Sequence, residues 1–451
     1  LEDNSEEEIV DIYQSEYQDL QEGVTFEDLP DRSGKIRKTS STDYGKMAKA
    51  LGEIIGAGIK ISLVDINKSD YGFKPDVENN QILFGMKALG NVGEPIIEQI
   101  KAGRPYSSFK DFLSRTNINK TAMINLIKGG AFDNLEKSWI PHEEVRKLIM
   151  AYYLSLTSDP KKKLTLQNFN GLLQNNLVPD TLDFEKKVFY FNKYLKDYKW
   201  KDYYYIPHNH AMDFYSNHFD MDLIDIQNNV YLIKQKDWDK IYKKIMENVR
   251  IWLTNNQEQV LKELNTKLFK TEWEKYATGS LSAWEMSALC FYYHEHELKH
   301  IDKQKYGIRN FDNLSSTPEV EYFFNRNGKQ IPIYKLCRIA GTVIGKNDTR
   351  HSVTLLTTDG VINVKFTRDY YAMFNRQISE VDESGVKKVK EKGWFTRGTK
   401  LLINGYRRDD TFVAKKYKST GGHTLYKITD VEGRNISLTS TRYGMEEADA
   451  S

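Results

Sequence analysis

The chain has 451 residues, room for about three domains, and its 65 basic and 63 acidic residues leave a formal charge of only +2, which selects no partner by itself. Two cysteines exclude a disulfide framework and a Cys-rich zinc site, which fits a reducing compartment. No run approaches the roughly 20 apolar residues of a membrane span, no secretory signal opens the chain, and a first residue of Leu rather than Met leads us to expect a fragment or processed product.

Residues 1–42 are expected to be a poorly packed polar segment. The first 30 carry eleven acids and no Lys or Arg, and "DRSGKIRKTSS" reads as a loop. In "DYGKMAKALGEIIGAG" (43–58), Met47, Leu51, Ile54 and Ile55 fall at helical intervals and a Gly cluster closes the run, which predicts a helix and its stop. "IKISLVDI" (59–66) is short and β-branched, a buried strand.

"GMKALGNVGEPIIEQI" (85–100) then sets a Gly-bearing turn between two apolar stretches. Asn91 tolerates a left-handed backbone, Val92 can anchor the turn inward, and Gly93 lets another backbone come close. Pro95 suits the first turn of the next helix. Such a helix–hairpin–helix corner aims free N–H groups and a helix dipole at a phosphate. It serves equally well as a packing corner between helices.

Helical segments separated by Gly, Pro or Asn continue to residue 156. Residues 157–330 are expected to be a helical connector, with helical periodicity in "WDKIYKKIMENVRIWL" and "WEMSALCFYYHEHEL". From 337 the texture changes to five short alternating runs, with a helix-like "RDYYAMFNRQI" between the third and fourth, the ordering of an OB barrel. Residues 334–428 hold nineteen Lys or Arg against nine Asp or Glu, a net of +10. A polyanion partner reads this simply; a solvated charged face reads it too.

Three further features invite chemistry. Asp220, Asp222 and Asp225 could suggest a two-metal carboxylate site, but no nucleotide-binding signature accompanies them and they read as a solvated loop. His296 and His300 share a helical face that His294 leaves by about 200°, so three convergent zinc ligands do not form. The aromatics of "WKDYYYIPHNH" could stack bases or fill a core.

Residues 58–135 resemble the helix–hairpin–helix region of the bacterial DNA polymerase III alpha subunit, the C-family replicative polymerase. The matching residues are Asp65-Ile66-Asn67-Lys68-Ser69, Val92-Gly93-Glu94, Ser108-Phe109 with Asp111-Phe112 and Arg115, Asn119-Lys120, and Gly130-Ala131-Phe132-Asp133. "EMSALCFYYHEHEL" (285–298) resembles the family segment that precedes the OB barrel. Two departures are plain: Gly90 stands where the family usually has a basic residue, and His296-Glu297 replaces its His-Pro.

The resemblance implies an α+β multidomain chain, mainly helical at first and ending in an OB-type barrel. Its divisions would be the end of a fingers-like domain (43–84), a tandem helix–hairpin–helix domain (85–156), the connector, the OB domain (331–430) and a tail (431–451). It implies part of a DNA-directed DNA polymerase acting in DNA replication, of phage-like type, in the cytoplasm of a bacterial or phage-infected cell. Duplex primer–template would meet Lys87, Asn91, Val92, Gly93, Lys120, Lys128, Gly129 and Gly130. Single-stranded template would meet Lys346, Arg350, Lys365, Arg368, Arg397, Arg407 and Arg408, with Trp394 and Tyr406 as stacking candidates. Nucleotidyl transfer and its Mg²⁺ would belong to a palm outside this chain, which is expected to hold no catalytic residue, metal or cofactor of its own. A palm-bearing segment and a sliding clamp are the implied protein partners. The alternative is a non-catalytic DNA-binding accessory protein built from the same modules; an RNA-related OB protein is a third reading.

Overall fold

The computed structural model describes residues 24–30, 36–42, 44–135, 142–227, 230–381, 387–417 and 422–443. It divides the chain into two compact units, one of residues 1–150 with 279–451, the other of residues 151–278. Much of the expected polar segment lies outside the described residues. Within it, β1 (Val24–Pro30) and β2 (Ile36–Thr42) pair antiparallel from Val24↔Thr42 to Pro30↔Ile36. The loop expected over 31–41 is therefore a strand from Ile36 onward, where Ile36, Thr39 and Thr42 favour extended backbone.

Helix α1 (Tyr44–Gly56) buries Met47, Leu51 and Ile54 along one stripe, as their spacing predicts. Next, β3 (Lys60–Ser62) lies parallel to β5 (Gln81–Leu83), and β4 (Lys74–Asp76) pairs with β5 from the other side. Four helices follow: α2 (Glu94–Ala102), α3 (Phe109–Arg115), α4 (Lys120–Lys128) and α5 (His142–Thr157). Side-chain caps start two of them. Ser108 accepts from the Asp111 N–H and Asn119 from the Ala122 N–H, each cap being worth about 1 kcal/mol. Phe109, Phe112 and Phe132 meet edge to face at 4.8–5.0 Å and lock α3 onto the turn after α4.

The second unit holds α6 (Phe169–Gln174), α7 (Asp183–Lys196), β6 (Lys199–Trp200), β7 (Tyr203–Ile206), α8 (His210–His218), β8 (Ile224–Gln227), β9 (Val230–Lys234), α9 (Gln235–Asn255) and α10 (Gln257–Tyr276). Its strands form an antiparallel sheet in the order β6-β7-β9-β8. The connector is thus not purely helical. In "YYYI", Tyr204 and Ile206 turn inward beside Ile233 and Trp238, while Trp200 stays exposed.

The connector also ends earlier than expected, because α11 (Leu281–Leu289) returns to the first unit. It packs on α4, and the Ala288 carbonyl accepts the Gly90 N–H at 3.3 Å. A two-stranded ribbon follows, β10 (Val320–Arg326) and β11 (Lys329–Tyr334), turning through Asn327-Gly328, both at positive φ.

The remaining elements are β12 (Cys337–Asn347), β13 (Ser352–Leu356), β14 (Val361–Lys365), α12 (Arg368–Asn375), the hairpin of β15 (Ile378–Val381) and β16 (Lys387–Glu391), then β17 (Lys400–Arg408), β18 (Thr411–Ala414), β19 (Leu425–Glu432) and β20 (Asn435–Thr439). Five strands close in the order β12-β13-β14-β18-β17, with β17 returning to β12 and only the β14–β18 pair parallel. With α12 between the third and fourth barrel strands, this is the OB arrangement. Val353, Leu355, Val364, Leu401 and Phe412 fill it. Beyond the barrel, β19 extends the sheet from β17 and β20 pairs with it within the expected tail of 431–451; residues 444–451 lie outside the described residues.

Candidate nucleic-acid interface

The corner at 85–100 has the local geometry its residues suggest. A single 3₁₀ turn, Met86–Ala88, leads into it. Asn91 is exposed at φ +62°, Val92 is 3% exposed, and Gly93 is exposed as the N-cap of α2 with Pro95 in the first turn. A Cβ built on Gly93 would find nothing closer than the Pro95 Cδ at 3.8 Å. The space above Gly93 is therefore open. By the geometry of a helix start, the Glu94 N–H has no intrahelical acceptor. The corner is held from behind: the Asn125 side-chain amide donates to the Gly90 carbonyl while α11 takes the Gly90 N–H.

The other residues expected on this face divide. Lys87 is half-buried with its ammonium 4.9 Å from the Tyr71 ring centre, and Lys120 opens α4. Lys128 lies half-buried over Trp284 at 5.8 Å, where burial pushes its pKa down. Gly129 and Gly130 are buried and present nothing to a ligand. A Cβ on Gly129 would strike Leu89 at 2.6 Å, and one on Gly130, at φ +80°, would strike Arg146 at 2.5 Å. These two glycines are packing glycines.

Behind Gly130 lies a buried ionic network. Arg146 donates through Nε and Nη2 to Asp133, at 2.6 Å in the shortest bond, and through Nη1 to Glu285 Oε1 at 3.1 Å. Glu285 also meets His294 Nδ1 at 2.6 Å and accepts the backbone N–H groups of Tyr293 and His294. Burial opposes the Arg146 charge, but the two carboxylates hold its pKa above the ordinary value. The network ties α4, α5 and α11 together; sequence spacing gives no hint of it, because Arg146 and Glu285 lie 139 residues apart.

On the barrel, Arg350, Lys365, Arg368 and Arg397 are exposed, Arg350 in the β12–β13 loop and Lys365 at the end of β14. Lys346 is exposed and donates to Asn375 Oδ1 at 2.6 Å. Two expectations need correction. Trp394 is 0% exposed: it packs in the barrel core, donates to Glu391 and has no face for a base. Arg407 is a brace. Its guanidinium lies over Phe311 at 4.4 Å and donates to the carbonyls of Phe311 and Leu314. Tyr406 is largely buried against Tyr334, ring centres 4.7 Å apart, and the exposed Arg408 sits 5.6–5.8 Å from both ring centres. Tyr334, whose N–H donates to the Tyr417 hydroxyl at 3.0 Å, and Tyr417 itself were not singled out from sequence.

The acids and histidines have local uses. Asp220 caps a 3₁₀ turn through the Asp222 N–H. His296 is half-buried, its Nδ1 accepting the Leu298 N–H and its Nε2 meeting the Leu356 carbonyl, and His300 pairs with Glu295. Among the described residues no group of three or more His, Cys, Asp or Glu could hold a metal ion, and no helix is long and apolar enough to cross a membrane.

Residues 58–139 match the model of the helix-hairpin-helix motif. The chain is 40% identical over 433 residues to a probable DNA polymerase, YorL, of Bacillus subtilis (strain 168), and equally to a DNA-directed DNA polymerase of Bacillus phage SPbeta; in each case 93% of this chain and 32% of the relative are covered. It is 38% identical over 98 residues to the DNA polymerase III subunit alpha of Thermus aquaticus, covering 20% of this chain and 8% of that protein. The chain is related in sequence to DNA polymerase III alpha subunits. It spans about a third of the length of the first two relatives. The helix–hairpin–helix match falls on the stretch that holds the Asn91-Val92-Gly93 corner, and the OB ring follows it in the order the resemblance implies.

Proposed function

We propose that this chain is the nucleic-acid-holding portion of a replicative DNA polymerase in the cytoplasm of a bacterial or phage-infected cell. The corner at Asn91–Gly93 contacts the phosphates of primer–template duplex, with Lys87 and Lys120 as neighbouring cations. The outer barrel face, with Arg350, Lys365, Arg368, Arg397 and Arg408, holds the single-stranded template. Nucleotidyl transfer, and the Mg²⁺ it uses, belong to a palm outside these 451 residues, and a clamp and that palm are the protein partners.

One observation carries the reading. Exposed Asn91 and Gly93 stand on a buried Val92 at the start of α2, within a segment matching the helix-hairpin-helix motif of a chain related to polymerases. Backbone N–H donors at a helix start suit phosphate without reading sequence. The test is fluorescence anisotropy with a labelled duplex carrying a single-stranded 5′ extension. Wild-type chain binds duplexes of unrelated sequence with similar affinity and loses affinity as salt rises. Binding that is absent, or indifferent to salt, overturns the reading.

A further inference from the structure

The ribbon is exposed over the whole of β10 and the first half of β11, with Pro332–Tyr334 half-buried, an unusual state for a two-stranded hairpin, which is marginally stable alone in water. It carries Tyr322 at 46%, Phe323 at 58% and Phe324 at 53% exposure. Strand alternation puts Tyr322 and Phe324 on one face, opposite Ile333 and Ile331, and Phe323 on the other, opposite Pro332. The ribbon's charged residues are Glu321 near its base and Arg326 and Lys329, paired across the turn at the tip. At its base, Tyr334 packs on Tyr406 beneath Arg408 and donates its N–H to Tyr417. A continuous run of rings and cations therefore leads from the barrel's β17–β18 end to the tip of the ribbon.

We propose that this ribbon is a second single-strand-binding element, a finger on which the unpaired bases of a DNA strand stack after leaving the barrel face. The proposal rests on the barrel's reading as a single-strand site. Rings two residues apart on a strand are about 6.8 Å apart, room for one base of about 3.4 Å rise between them. Exposed rings leading to a cationic tip match a polyanion with π-faces.

The whole 451-residue chain is titrated against labelled oligo-dT at several salt concentrations. Phe323→Ala with Phe324→Ala weakens binding about 5- to 100-fold and leaves the salt slope unchanged. Arg326→Gln with Lys329→Gln makes the log–log slope shallower by about 1.4. Circular dichroism melting confirms that both variants fold. Binding within twofold of wild type for both pairs, while Lys365→Gln with Arg368→Gln still weakens it, overturns the finger and leaves the barrel reading standing. Altered self-association in sedimentation with unchanged oligo-dT affinity overturns it as well, assigning the ribbon to protein. If wild-type chain binds no oligo-dT, the barrel reading falls first and the finger with it.

Discussion

At the residue scale, the glycines near the corner separate into two kinds by what a Cβ would meet. Gly93 has open space and φ −86°. Gly93→Asp should leave the thermal midpoint within about 2 °C, as surface changes do, yet set a carboxylate against the duplex phosphate and weaken binding about tenfold or more. An unchanged affinity would return the corner to a packing role. Gly130→Ala should do the opposite. Its left-handed backbone and its collision with Arg146 together cost about 2–4 kcal/mol in urea unfolding, while the folded fraction keeps its duplex affinity. Sequence placed both glycine sets in one motif and could not separate them, because exposure depends on α5 and α11 arriving behind Gly130. His296 gives a pH signature. Its Nδ1 accepts a backbone N–H, so the fold holds the imidazole neutral, and burial lowers its pKa. The folded state then binds fewer protons than the unfolded one. Stability is full above the ordinary histidine pKa of about 6.5 and falls as pH drops below it, by at most about 1.4 kcal/mol per pH unit. Urea midpoints between pH 7.5 and 5.5 should show this fall, and His296→Asn should remove that part of the slope.

At the element scale, the barrel was the most legible part, since five alternating runs and one helix reproduce the OB order in sequence. The additions to it were not. β19 and β20 follow a charged, turn-rich stretch, and their place in the sheet comes from β19 pairing with β17 and β20 with β19 rather than from periodicity. Strands β6–β9 hide for another reason: runs of two to five residues leave too little alternation to stand out between long helices. Neighbouring Arg407 and Arg408 looked equivalent as cations, but strand alternation sends them to opposite faces. Arg407 braces the 311–314 segment. Arg407→Ala should therefore cost about 1–3 kcal/mol of stability through carbonyls left without their charged donor and leave the oligo-dT salt slope as it was. Arg408→Gln should leave the urea midpoint near wild type and make that slope shallower by about 0.7. Equal slopes for both variants would mean that Arg408 does not meet the strand.

At the scale of the whole molecule, the spaced motifs of residues 58–135 gave the relationship and the module order, and they cover less than a fifth of the chain. The division of the chain did not follow from them, since the return of α11 to α4 is a tertiary event with no local signal. Asp220 is committed to a turn cap, and Asp222 and Asp225 are exposed. With four nucleotides and Mg²⁺, the chain alone should bind primer–template and leave it unextended; template-dependent extension above a mock preparation would place the chemistry within these residues.

Residues 151–278 interrupt the first unit between Arg146 and Glu285, whose side chains meet at 3.1 Å. In sequence the interruption begins five residues after Arg146, within α5, and ends seven residues before Glu285. Loop closure grows only logarithmically with length, about 0.6 kcal/mol per doubling. An insert mounted this way can lengthen, shrink or be exchanged at small cost to the unit that carries it. Replacing residues 158–278, beyond the end of α5, by a short Gly-Ser bridge should leave a cooperatively folding remainder, and this is where relatives can be expected to differ most in length.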